Sequence, residues 1–276
     1  MKGKLAYAIW PWGLSNRDQM ETAIREIKEI GFNHFESVQT AIELFKDDFA
    51  AFKEMTGRYG VYPVSFYFWM RGDPKQDVET LKTSLDFMAA NAIRTISVQA
   101  PGKKGGGATQ EELNYVLKIL KEYGRLGKAH GITPCLHPHS NTTVMFEKEI
   151  DFIMRNADPA LIAFGPDTAH LAVGGCDPVE IFERYAERIR FVHLKDVKKL
   201  KALDGDGAQK TGFEIYGSFL ELGEGDVDFP SIFRILERVN YGGYLTLELD
   251  KSRFSNKQSA VMNMDYMKKH CNYPEG

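Results

Sequence analysis

The chain has 276 residues, 43% of them apolar and 26% charged, with a formal net charge of −3. This composition belongs to a soluble globular protein with ample material for a core, which excludes wholesale disorder, and the charge balance gives no reason to expect DNA or another polyanion as partner. The length lies close to the roughly 250 residues of one (β/α)8 barrel and would also fit two small domains.

In chain order, short β-rich runs alternate with helical patterns. Leu5 to Ile9 reads as a strand, Ser15-Asn16 offers a cap, and Met20, Ile24 and Ile27 follow at helical spacing up to Gly31. His34 to Val38 is a second strand, and Phe45, Phe49 and Phe52 repeat at i, i+4, i+7 in the next expected helix. Val61 to Trp69 is the third strand, with Val78, Leu81, Leu85 and Met88 marking its helix. Thr95 to Ala100 is the fourth, and Thr109 to Glu112 forms a capping box that opens a long helix.

The second half repeats the pattern. Strands are expected at Ile132 to Leu136, Leu161 to Phe164, Ile189 to Leu194 and Tyr244 to Leu249. Helices are expected around Glu147 to Arg155, from the Asp177-Pro178 cap, around Ile232 to Leu236, and through Val261 to Met267. Eight strand–helix units without a linker-like segment favour one α/β domain over residues 1–276, a closed (β/α)8 TIM barrel rather than an open doubly wound sheet. No G-x-G-x-x-G follows the first strand and no P-loop is present, which weakens a nucleotide-binding reading.

Cys135, Cys176 and Cys271 are far apart and odd in number, which points to a reducing compartment without a disulfide framework. The first residues lack signal-peptide architecture, and no run of 18 apolar residues exists, so the expected location is the cytoplasm, away from membranes.

Seven histidines are unevenly placed. His34, His130 and His270 fall at a strand base or on helices. His137, His139, His170 and His193 fall at or just past strand C-terminal ends, the active-site rim of a TIM barrel. Asp167 and Glu248 share that rim. An inward ring of His, Asp, His and Glu suits one divalent ion: Mn²⁺ first, then Co²⁺, Zn²⁺, Fe²⁺ or Mg²⁺.

At these residues the sequence resembles the xylose isomerase-like TIM-barrel superfamily, also called the sugar phosphate isomerase/epimerase family. Asp167-Thr168-Ala169-His170-Leu171 resembles its D-x-x-H-L stretch, and His193-Leu194-Lys195-Asp196 its H-x-K-D strand. Gly223 to Asp228 resembles its G-x-G-x-(V/I)-D segment, and Gly242 through Glu248 its closing glycine–tyrosine–glutamate pattern. The resemblance implies that Asp167, His193 and Glu248 are metal ligands and that His170 touches substrate. Epimerases and isomerases of the family place a liganding glutamate at the end of strand five, where this chain has His137, which speaks against a paired-carboxylate proton shuttle. The His137-Pro138-His139 run, followed by Ser140-Asn141-Thr142, resembles the inosose (2-keto-myo-inositol) dehydratase branch.

The resemblance therefore implies a metal-dependent lyase acting on a small keto-sugar or polyol, with His137, Asp167, His193 and Glu248 as ligands. His139 and His170 are the candidate acid and base, joined by Lys195 if burial and the metal lower its pKa, and by Glu36 as proton carrier, sugar ligand or structural hydrogen-bonder. Lys195 also reads as part of a solvated basic loop with Lys198, Lys199 and Lys201. Trp10, Trp12 and Trp69 are candidate sugar-stacking faces, beside Tyr67, and Gln99 a candidate hydroxyl partner. Competing readings are a sugar isomerase or ketose 3-epimerase, a 3-keto-glycoside-cleaving subunit working with a partner, an endonuclease of abasic DNA, and a non-catalytic binding protein. Homo-oligomers or hetero-subunit assemblies remain open. Gly102 to Gly107 and Lys198 to Glu221 are long enough to serve as lids.

Overall fold

In the computed structural model, residues 2–198 and 219–271 are described. Strands β1 (Lys4–Ala8), β2 (His34–Val38), β3 (Tyr62–Trp69), β4 (Thr95–Gln99), β5 (Thr133–His137), β6 (Ala163–Phe164) and β7 (Phe191–Leu194) follow in order. The eighth barrel strand is β10 (Tyr244–Leu247), after a small hairpin of β8 (Asp196–Val197) and β9 (Phe219–Leu220). All barrel strands are parallel, in the order β6-β5-β4-β3-β2-β1-β10-β7. Parallel bridges Phe164–Ile189 and Asp167–His193 join the two end strands and complete the ring. No helix among the described residues is long and apolar enough to cross a membrane.

Side chains of a strand alternate between faces, so each barrel strand sends every second residue inward. Outward residues such as Phe35, Phe66, Ile96, Leu136 and Val192 join the helices in the main apolar core. Inward residues Ala6, Cys135, Ala163 and Phe191 fill the barrel floor, joined by Val64, which a register irregularity in β3 turns to the same side. Two residues further along, the inward series turns polar: His137 follows Cys135 and His193 follows Phe191, both buried, as are Glu36, Ser97 and Thr246 on their own strands. This change along one face, from apolar floor to polar rim, positions the site.

The helices start where side chains can cap them. Asn16, Asp48, Asp73, Asp177 and Asp228 each accept a backbone N–H of the following turn, and Thr109 with Glu112 makes the expected capping box. One expectation is corrected here. Phe45 is not helical: helix Gln39–Ile42 ends before it, and Asp48 caps a new helix, Phe49–Tyr59. Phe45 instead packs edge-on against Phe52, with ring centres 5.1 Å apart. The short helix Thr168–Val173 and the hairpin are additional to the expected elements.

The Gly102 to Gly107 loop is tied at its base. Lys103 N–H donates to Asn141 O at 2.8 Å, and its ammonium pairs with Glu112. At its far end Ala108 N–H donates to Glu149. Of the second expected lid, residues 199–218 lie outside the described residues.

Candidate metal centre

The rim groups of β5, β6, β7 and β10 meet in one buried cluster. His137, Asp167 and His193 each offer a ligand atom within 4.8 Å of the others, and Glu248 forms a similar group with Asp167 and His170. Glu248 Oε2 also lies 3.4 Å from His193 Nδ1. The rings of His137 and His193 are nearly perpendicular, with centres 4.6 Å apart.

Each of these four side chains has one polar atom fixed by a neighbour and one left over. His137 Nδ1 lies 3.1 Å from the Gly165 carbonyl, which can only accept, so Nδ1 carries the proton and Nε2 the lone pair. His193 Nε2 is held by Glu36, whose other oxygen accepts from Ser97. Asp167 caps helix Thr168–Val173, with Oδ1 accepting from Ala169 N–H and His170 N–H, both at 2.8 Å. Glu248 Oε1 accepts from Lys195 at 2.6 Å. The remaining atoms, His137 Nε2, Asp167 Oδ2, His193 Nδ1 and Glu248 Oε2, are buried without a hydrogen-bond partner. Buried polar atoms are rarely left unpaired, and two nitrogens and two oxygens at this spacing are a donor set that could hold a divalent cation.

Lys195 corrects one expectation. It is fully buried, so it is not part of a solvated basic loop. Burial alone would lower its pKa, but Asp167, Asp250 and Glu248 outweigh burial and raise it, so the ammonium form is favoured. Its Nζ contacts Glu248, Asp250 at 2.8 Å and His170 Nε2 at 3.1 Å, and sits over the Phe219 ring.

His137, His139 and His170 are neutral. Burial, followed by the neighbouring cations, lowers His137 and His170 well below the usual range, and burial lowers His139 to about 4. His139 and His170 stack with ring centres 3.6 Å apart, and Ser140 Oγ lies 2.7 Å from His170 Nδ1. His193 differs. Burial would lower it, but Glu36, Glu248 and Asp167 raise it to about 9, so Nδ1 releases a proton when it serves as a donor to a cation.

Above the cluster opens a cavity of about 290 Å³, lined by Trp10, Val38, Tyr67, Trp69 and Gln99 from β1 to β4 and by His139, Glu248 and Asp250 from the later strands. Trp10 lies against both Tyr67 and His193. A larger groove of about 650 Å³ between helices Pro178–Tyr185 and Phe229–Arg238 contains none of these groups, so the chemistry selects the barrel mouth.

Trp10, Trp69 and Gln99 thus reach the cavity, and Trp12 does not. Its indole Nε1 donates to Glu26 at 2.7 Å and its ring packs edge-on against Tyr7. Trp10 to Trp12 is one 3-10 turn, which sends its two indoles in different directions. Glu36 lies beneath His193, fully buried and engaged at both oxygens. Asp250, which the sequence reading passed over, lines the cavity and holds Lys195. Its signal was the strand period, since it stands two residues beyond Glu248.

The motif that follows Lys195 also has a physical reason. Asp196 accepts backbone N–H groups from Val197 and Val227 on one oxygen and from Gly223 and Gly225 on the other. A Cβ at Gly225 would lie 2.2 Å from Asp196 Oδ1, so this approach requires glycine. Asp196 thereby anchors the returning chain beside the site.

The family model for the xylose isomerase-like TIM barrel matches residues 24–270. The chain belongs to that family. Among curated relatives, inosose dehydratase of Clostridium tetani is 33% identical over 163 residues, a match spanning 58% of this chain and 55% of the relative. Inosose dehydratase of Clostridium botulinum (strain Alaska E43) is 29% identical across 96% of this chain and 97% of its own. Among solved structures, D-allulose 3-epimerase from Methylomonas sp. superposes with a TM-score of 0.78 at 16% identity, covering 98% of both chains. The IolI protein with a bound zinc atom superposes with a TM-score of 0.77 at 13% identity, covering 99% of this chain and all of its own. These relatives and neighbours support a sugar-processing TIM-barrel enzyme.

Proposed function

We propose that the protein is a cytoplasmic, divalent-metal-dependent carbon–oxygen lyase that removes water from a keto-polyol or keto-sugar, in the manner of an inosose dehydratase. The observation that supports this most directly is the set of four buried, unpaired atoms on His137, Asp167, His193 and Glu248. These residues would hold the ion, Mn²⁺ first among the candidates, and the zinc atom bound by IolI supports a metal in a barrel of this fold. When bound, a divalent ion polarises a carbonyl and stabilises the negative charge that develops on loss of an α-proton.

The chain's own residues supply the rest. Neutral His139 lines the cavity with its Nδ1 proton held by the Ser140 carbonyl, the tautomer in which Nε2 is the basic atom toward an α-proton. Lys195 directs its three N–H groups to Glu248, Asp250 and His170, so it positions these groups and does not meet the departing hydroxyl, to which His139 returns the proton it has taken. Trp10 and Trp69 offer faces for the C–H side of a sugar, and Gln99 a partner for a hydroxyl. Glu36 orients His193 and does not meet the substrate.

The rival reading is a ketose 3-epimerase, the activity named for the Methylomonas neighbour. The imidazole of His137 stands where that chemistry needs a second liganding carboxylate, which favours elimination. The test is incubation of the manganese-loaded protein with 2-keto-myo-inositol and, separately, with free ketohexoses, followed by mass spectrometry. Loss of one water from the keto-inositol supports the lyase. An epimerised ketohexose with unchanged mass, and no dehydration, replaces it with the epimerase.

A further inference from the structure

Glu248 is the one member of the four-residue set whose fixed atom is held by another side chain's cation. Its Oε1 accepts from Lys195 at 2.6 Å, while Oε2 is the buried, unpaired atom. Lys195 is itself held from the other side by Asp250 at 2.8 Å, and its Nζ lies 3.5 Å from Asp167 Oδ2. Asp167 reaches the same state differently, since two backbone N–H groups occupy its Oδ1. A carboxylate whose second oxygen is already bonded can give a metal ion only one donor atom. A carboxylate released from such a partner can give two.

Resting on the metal reading above, we infer that Lys195, braced by Asp250, is a positioning residue that restricts Glu248 to one donor oxygen. The four protein groups then contribute one atom each, and coordination positions stay open for a substrate that brings two oxygens. The ammonium also draws electron density from Glu248. The ion therefore keeps more of its charge for the substrate carbonyl, at some expense in affinity. A residue that only filled space would have neither effect.

The test uses the full-length protein, stripped of metal and reloaded with Mn²⁺ alone. Lys195→Met removes the cation while keeping the length of the side chain. The expected result is Mn²⁺ binding tighter by about tenfold in a chelator competition, because a nearby positive charge has gone and a second oxygen is free. A larger rise in melting temperature on adding Mn²⁺ should accompany it. The crystal structure of the loaded variant should show both Glu248 oxygens on the ion, against one in the wild type. Should Lys195→Met not fold, neutral and polar Lys195→Gln is expected to shift affinity and coordination the same way. One oxygen on the ion in both proteins, with affinity unchanged or weaker in the variant, would overturn the positioning role. A wild type that binds no Mn²⁺ would overturn the metal reading itself, and the two failures are told apart by the wild-type titration.

Discussion

The two halves of the barrel mouth are built from different chemistry. The half contributed by β5 to β7 and β10 carries His137, His139, Asp167, His170, His193, Lys195, Glu248 and Asp250, nearly all buried. The half contributed by β1 to β4 presents Trp10, Tyr67, Trp69 and Gln99, which carry no charge. An ion needs several converging donors, and an uncharged sugar ring needs flat faces and a few hydrogen bonds. The division therefore separates ion binding from substrate packing. Glu36 is the exception: it belongs to β2 but reaches under the mouth to His193. The ionisable half is thus braced by one residue from the other side.

That division predicts separable effects. The largest belongs to the donors. Asp167→Ala should abolish tight metal binding and reduce elimination to the level of the metal-stripped protein, as read by metal content and product formation. It should also loosen helix Thr168–Val173, which Asp167 caps. Glu36→Gln comes next. Outer partners of metal-bound histidines commonly contribute about 10- to 100-fold in affinity, and a loss in that range is expected, with the fold intact by circular dichroism. Trp69→Ala should sharpen the contrast from the other side. KM rises by about fivefold, in line with roughly 1 kcal/mol for an aromatic contact, and metal content does not change. The smallest effect is Trp12→Phe. It removes the bond to Glu26, lowers stability by about 1 kcal/mol in urea unfolding, and leaves KM and metal content unaltered. A change in KM with Trp12→Phe would break the assignment of the neutral wall to Trp10 and Trp69.

Much of the fold was legible because β-strand and helix periods alternate without interruption from Leu5 to the last helix, and capping residues such as Asn16, Thr109 and Asp177 mark the helix starts. Strand ends in a TIM barrel point to one rim, so the placement of His137, Asp167, His193 and Glu248 on four strands could be anticipated from order alone. What escaped depends on direction and environment. The indole of Trp12 turns away because a 3-10 turn separates it from Trp10, and no period announces that. Lys195 looked like one of several loop lysines, yet it follows directly on β7, two residues past the inward His193, and is buried among three carboxylates. Asp250 was readable in principle, two residues past Glu248, but lies beyond the last residue of β10, where the strand period no longer marks a direction.

Metal analysis of the purified protein beside the His193→Ala/Glu248→Ala double variant tests the central claim most directly. One equivalent of Mn, Co, Zn or Fe in the parent, lost in a double variant that still folds, is the predicted result. A parent that holds no metal, and whose melting temperature does not rise when any of these ions is added, would contradict it.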